Sequence, residues 1–266
     1  MMWDPAIAAA ERTEAARHLI AQAHADAVDL VTLSALELCV LDGPRQPLFE
    51  EPVASAWMQL GDRRRRQLMD EVTAGLVRRG LLIDDDPQPG TGRQGGTYAL
   101  QPQLGLMLAA RCRPTFIVVA AGEGGGLRPL NLFALGDVAE PVRGIVAEVP
   151  AALPPGHVAD YPKARKLGPL GWIYRYVLVS PGKAAEILAR WTITPPAQPG
   201  KAAPVRYLVS AYRPDREQPA GYRLGVRGDG QRAVIDGLES GEPAGAAYDL
   251  QGLSGIMRRL LTEASP

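Results

Sequence analysis

The chain has 266 residues, enough to bury one large hydrophobic core or two smaller ones. Its 29 basic residues are matched by 29 acidic ones and the sequence pI is near 6.8, so no global field draws it to nucleic-acid phosphates or anionic membrane. With only two cysteines, Cys39 and Cys112, a disulfide framework is not indicated, a cysteine-rich metal site is excluded, and a reducing cytoplasm fits best.

The opening MMWDPAIAAAERTEAARHLIAQAHADA carries acids and bases every few residues and lacks an apolar stretch of signal-peptide type. Its alanines predict a helix from Pro5 to about Ala27, with Ile7, Ala15, Leu19, Ile20 and Ala23 as its apolar positions. The longest apolar run, 116–121, is far too short to span a bilayer, so a soluble, cytoplasmic protein without membrane insertion is expected.

Residues 28–33 are short and partly β-branched. Ser34 then stands three positions before Glu37, the spacing of a capping box, ahead of Leu36, Leu38, Cys39, Val40 and Leu41. Val53, Ala54, Trp57, Met58 and Leu60 form a further helical face. In 62–113, Leu68, Met69, Val72, Leu76 and Val77 make one apolar stripe with arginines on the other faces, and Gly80 stops that helix as a C′ residue. A polar, Gly-rich turn at 84–96 separates two short strands. Leu104, Leu106, Met107 and Leu108 start a helix that Pro114 ends. Helix, hairpin, helix is a winged-helix-like layout.

Beyond Pro114, strands are expected at 115–121, 127–135, 145–149 and 172–179, the last apolar on both faces and so central. Ser180 and Pro181 open a helix, and the four-proline stretch 194–204 is the best linker. Strands at 205–212, 222–226 and 233–235, with hairpin chemistry at Gly228, Asp229 and Gly230, precede a closing helix at 248–262. Strands followed by a helix therefore occur twice, ending at Trp191 and Leu261. The fold class is α+β. Residues 1–113 read as a helical, winged-helix-like lobe, packed on a mostly antiparallel sheet lobe with two flanking helices at 114–266.

Candidate sites follow from residue type. Arg63, Arg64, Arg65 and Arg66, with Arg93 on the wing, are the pattern a basic helix and wing would use on DNA. Asp62, Asp70, Glu71 and 84–86 share that neighbourhood and favour a solvated helix face. The four arginines also open their helix, where positive charge opposes the macrodipole, so a local acidic partner is expected. Gly122, Glu123, Gly124, Gly125 and Gly126 lack the following helix start of a phosphate loop and read as a hairpin tip able to contact a partner. His18, His24 and His157 lack metal spacing, and no nucleophile or metalloprotease motif is present. Trp57, Trp172, Tyr212 and Tyr222 read as packing aromatics, whereas Tyr161, inside the Pro-rich loop 151–170, is least explained by packing. Tyr161, Gly124 and Trp172 are thus the expected protein-contact residues.

LSALELCVLDG, DRRRRQLMDEVTAGLVRRGLL and LQPQLGLMLAARCRP leading into TFIVVAA resemble the opening of the EspG-type chaperones of actinobacterial type VII secretion. The closing YRLGVRGDGQRAVIDG and AYDLQGLSGIMRRLL are similar to that family's last strands and helix. The resemblance implies a cytoplasmic, cofactor-free, non-enzymatic chaperone that binds another protein, covering the exposed apolar tip of a secretion substrate. The alternative is a winged-helix transcription regulator that binds DNA and uses its sheet lobe to sense or dimerise.

Overall fold

The computed structural model describes residues 9–42, 50–84, 98–123, 128–135, 144–152, 167–194, 206–213, 223–236 and 245–263. Its elements in chain order begin with α1 (Ala9–Ala25), β1 (Val28–Ser34), α2 (Ala35–Asp42), α3 (Glu51–Met58), α4 (Asp62–Arg78), β2 (Leu82–Asp84), β3 (Tyr98–Leu100) and α5 (Pro102–Cys112). Then come β4 (Pro114–Gly122), β5 (Leu130–Leu135), β6 (Ile145–Ala151), a 3-10 turn (Gly168–Gly171), β7 (Ile173–Val179) and α6 (Pro181–Ile193). The chain closes with β8 (Tyr207–Tyr212), β9 (Arg223–Gly228), β10 (Ala233–Asp236), β11 (Ala247–Tyr248) and α7 (Leu250–Glu263). The protein is α+β. Nine strands form one sheet in the order β1-β7-β6-β5-β4-β8-β9-β10-β11, and β2 and β3 form a separate antiparallel hairpin. No helix among the described residues is long and apolar enough to cross a membrane.

The chain divides into two compact units, one of 1–17, 30–108 and 151–175, the other of 18–29, 109–150 and 176–266. The expected division into 1–113 and 114–266 differs from this in that both units are discontinuous, the first taking 151–175 and the second 18–29.

In the first unit, the step from α4 to β2 is a Schellman stop. Gly80 adopts φ +67°, its N–H donates to the Val77 carbonyl at 2.9 Å, and Leu81 N–H reaches back to the Leu76 carbonyl at 2.9 Å. These bonds satisfy carbonyls that the helix end would leave open, and only glycine enters the left-handed region without Cβ strain. Leu81 and Leu82 are buried directly behind the turn. The apolar stripe of α4 is narrower than its composition predicts, because Leu68, Val72 and Leu76 are buried whereas Met69 and Val77 are exposed. At 3.6 residues per turn, Met69 and Val77 lie roughly 100° and 180° round the helix from Leu68, off the buried line of i, i+4, i+8. Met58, expected on the packed face of α3, is likewise exposed, while Val53 and Trp57 are buried.

The strand-then-helix order read twice from the sequence is present. β4 to β7 lead into α6, and β8 to β11 lead into α7. The first strands of the two sets, β4 and β8, pair antiparallel from Ile117 opposite Tyr212 to Gly122 opposite Tyr207, so the sets run outward from this seam. Their helices start alike. Ser180 Oγ accepts from Lys183 N at 3.4 Å, and Asp249 Oδ1 accepts from Gly252 N at 2.8 Å, the same cap-to-third-residue bond in each. Asp249 being the cap, α7 begins after Tyr248, which belongs to β11 and not, as expected, to the helix. One sheet face is apolar throughout, with Phe116, Val118, Leu132, Ile145, Val209 and Val226 buried in one cluster with Ala184, Leu188, Met257 and Leu260 of the two helices.

At Gly80 an added Cβ meets nothing within 4 Å, so Gly80→Ala pays only for its left-handed backbone, about 1 kcal/mol. At Gly228 it would lie 2.3 Å from the Thr192 carbonyl oxygen, so Gly228→Ala costs more. Urea titrations check both. The expected result is a lower midpoint with unchanged slope for Gly80→Ala and a larger drop for Gly228→Ala, and equal losses would contradict this account.

Candidate protein-binding surface

In the first unit, Ser34 ends β1 and opens α2, and the predicted capping box is present. Glu37 N donates to Ser34 Oγ at 3.2 Å, while Glu37 Oε2 accepts from Ser34 N at 2.7 Å and Ser34 Oγ at 2.9 Å. The second carboxylate oxygen accepts from Arg79 Nη1 at 2.6 Å, and Arg79 Nη2 donates to the Thr32 carbonyl at 2.6 Å. Arg79 thus ties the end of α4 to both β1 and α2. Burial pushes the Glu37 carboxyl up from its ordinary value, against the lowering by the Arg79 charge and the Ser34 hydrogen bonds.

With its inner stripe fixed in this way, α4 turns its other side outward. Arg63, Arg64 and Arg66 are exposed. Of the four arginines, Arg65 alone has a carboxylate partner, Asp62 at 3.2 Å, and its Nε donates to the Leu60 carbonyl at 2.9 Å. Arg64 donates to Gln67 at 2.8 Å, and Gln67 donates to Glu71 at 2.9 Å. Four of the five exposed large apolar side chains among the described residues lie close to this helix in sequence: Met58 at 62% exposure, Met69 at 38%, Val77 at 37% and Ile83 at 53%. Sequence reasoning placed Met58, Met69 and Val77 inside. Val77 lies roughly 180° round α4 from Leu68 and Met58 roughly 140° round α3 from Val53, and that angle was the signal that separates them from the core.

The other expected contact residues fare differently. Tyr161, Gly124 and Arg93 lie outside the described residues, as do His157 and Tyr222. Trp172 is half-buried, its backbone carbonyl accepts from Ala35 N at 2.7 Å and its backbone N–H donates to the Pro169 carbonyl. Trp57 is buried and Tyr212 exposed. His18 and His24 are exposed on α1. Among the described residues no three His, Cys, Asp or Glu side chains converge to hold a metal ion.

Two further polar constellations occur in the second unit. Glu148 is buried and fully satisfied, with Oε2 accepting from Arg111 and from Tyr176 Oη at 2.5 Å, and Oε1 accepting from Asn131 Nδ2 at 2.7 Å. The Arg111 guanidinium also lies 5.8 Å from the Phe133 ring centroid. Asn131 and Glu148 are register partners on β5 and β6, so the strand ladder presents the acceptor directly opposite its donor. The cluster joins α5, β5, β6 and β7 through one buried carboxylate and so acts as a structural clamp. An open groove of ≈ 770 Å³ beside α6 and α7 is lined by Gly182, Glu186, Gln231, Asp249, Ser254 and Arg258. Of its carboxylates, Asp249 caps α7, and Glu186 pairs with Lys183 at 2.9 Å and Arg190 at 3.1 Å. Desolvation pushes the Tyr207 hydroxyl up to about 12, which keeps it neutral at physiological pH.

Removing Arg111 takes the buried Glu148 carboxylate's ionic partner away, and Arg111→Met is expected to cost about 3–5 kcal/mol in chemical denaturation. A loss below about 1 kcal/mol would contradict the clamp. Because the Glu37 carboxyl is raised when folded, the folded chain holds more protons than the unfolded one between its ordinary value of 4.5 and the raised value. Stability therefore falls as pH rises through that window, and Glu37→Gln is expected to remove that part of the pH dependence of the denaturation midpoint. Parallel profiles for the two proteins would contradict it.

No protein-family model matches the chain, and no curated protein and no solved structure is found similar to it.

Proposed function

We propose that this chain is a non-enzymatic protein-binding protein, a cytoplasmic chaperone or adaptor that holds a secretion substrate until export. The observation that carries this is the group of exposed large apolar side chains at Met58, Met69, Val77 and Ile83, set among arginines on and around α4. Apolar surface costs free energy in water, and its accumulation on one segment is what a partner's burial would repay. Methionine suits such a surface because its unbranched, polarisable side chain adapts to partners of different shape. The likeness of 33–43, 62–82 and 100–121 to the opening of the EspG-type chaperones points the same way.

A second possibility, a DNA-binding regulator, is favoured by one observation: Arg63, Arg64 and Arg66 are exposed on the helix that precedes the β2-β3 hairpin. Asp70 and Glu71, also exposed on α4, oppose it.

Co-expression with the products of neighbouring genes, followed by size-exclusion chromatography, tests the proposal. A stoichiometric complex with one of them is expected, and a chain that elutes alone from every pairing would contradict it. Retention on duplex DNA that falls steeply with salt would establish the regulator instead.

A further inference from the structure

In the first two turns of helix α4, two guanidinium groups go unanswered. Its carboxylates at Asp62 and Glu71 are engaged by Arg65 and Gln67, and among the described residues Arg63 and Arg66 make neither an ion pair nor a hydrogen bond. Both lie in the first turns of the helix, where the positive end of the macrodipole disfavours a cation. The local acidic partner that the sequence calls for is thus supplied to Arg65 alone. Arg63, Arg66, Met69, Thr73 and Val77 follow one another at three- or four-residue steps, which places them on one stripe of the helix. Arg63, Arg66, Met69 and Val77 are exposed and Thr73 is half-buried. Asp70 shares the stripe.

We infer that this stripe of α4 docks an acidic amphipathic helix of a partner protein, with the partner's apolar face on Met69 and Val77 and its carboxylates on Arg63 and Arg66. The inference rests on the protein-binding function proposed above and adds the surface and the chemistry of what it takes. Charge complementarity selects the occupant. Carboxylates supplied in trans relieve the unfavourable placement of Arg63 and Arg66, and apolar side chains between them cover Met69 and Val77. A nucleic-acid backbone answers only half of this pattern, because it offers nothing apolar to Met69 and Val77.

The test uses the full chain and two synthetic amphipathic helices of about five turns. Both carry the same leucine face, one flanked by glutamates and the other by lysines, and fluorescence anisotropy reads their binding. Saturable binding of the glutamate helix is expected, about tenfold or more tighter than that of the lysine helix. Arg63→Glu with Arg66→Glu, and separately Met69→Asp, are expected to weaken it by about tenfold or more. All three positions are exposed, and an unchanged circular dichroism melt confirms that the variants fold. Equal binding of the two helices, no binding of either, or binding indifferent to these substitutions would overturn the inference, as would tighter, salt-sensitive binding of duplex DNA at the same residues. A co-purified partner that survives the substitutions undiminished overturns this surface while leaving the protein-binding function standing, and failure to retain any partner sinks that function itself.

Discussion

A single buried carboxylate, that of Glu37, holds the helix that carries the proposed binding surface. It accepts two hydrogen bonds from Ser34 and one from Arg79, so the β1-to-α2 corner and the end of α4 are held by one group. Burying a carboxylate is costly, and the hydrogen bonds at both oxygens recover only part of that cost, so the carboxyl stays above its ordinary value. The consequence is rotational. With Arg79 anchored inward, Leu68, Val72 and Leu76 face the core, and Arg63, Arg64, Arg66, Met69 and Val77 of α4 are left exposed.

The second unit solves its packing by repetition. Two sets of four strands and a helix meet at the β4-β8 seam, and each helix is started by its own side-chain cap. One sheet face is purely apolar and packs α6 and α7. The other carries Glu148, Asn131 and Tyr176, an ionic cluster whose geometry depends on the β5-β6 register. A one-residue slip would turn Asn131 away from Glu148, so the cluster favours one register over its neighbours. Polar groups in this protein thus hold structure in place: Glu148 clamps strands, Asp249 caps α7, and Glu186 bridges Lys183 and Arg190 along α6.

Much of the fold was legible in the sequence because it depends on local chemistry. The capping box at Ser34 and Glu37, the glycine stop at Gly80, the Ser180 cap and the turn at Gly228, Asp229 and Gly230 are written within a few residues each, and all are present. The α+β class and the repeated strand-then-helix order followed from hydrophobic periodicity. What periodicity does not encode is which of several apolar residues on a helix meets the core. Met58, Met69 and Val77 were grouped with their neighbours, although their angle sets them outside. The Glu148 cluster was not legible, since Arg111, Asn131, Glu148 and Tyr176 come together only through tertiary pairing. The contact residues expected at Tyr161 and Gly124 lie outside the described residues, and Trp172 is half-buried.

The functional account comes down to whether the outward stripe of α4 meets another polypeptide. Single cysteines placed at Arg63 and Met69, in a chain whose Cys39 and Cys112 are replaced by Ser or Ala, report this through their rate of maleimide labelling in the free protein and in its purified partner complex. Slower labelling at both positions in the complex, with an unchanged rate at an exposed control such as His24 replaced by Cys, is the predicted result. Equal rates at Arg63 and Met69 in the free and complexed protein would contradict it.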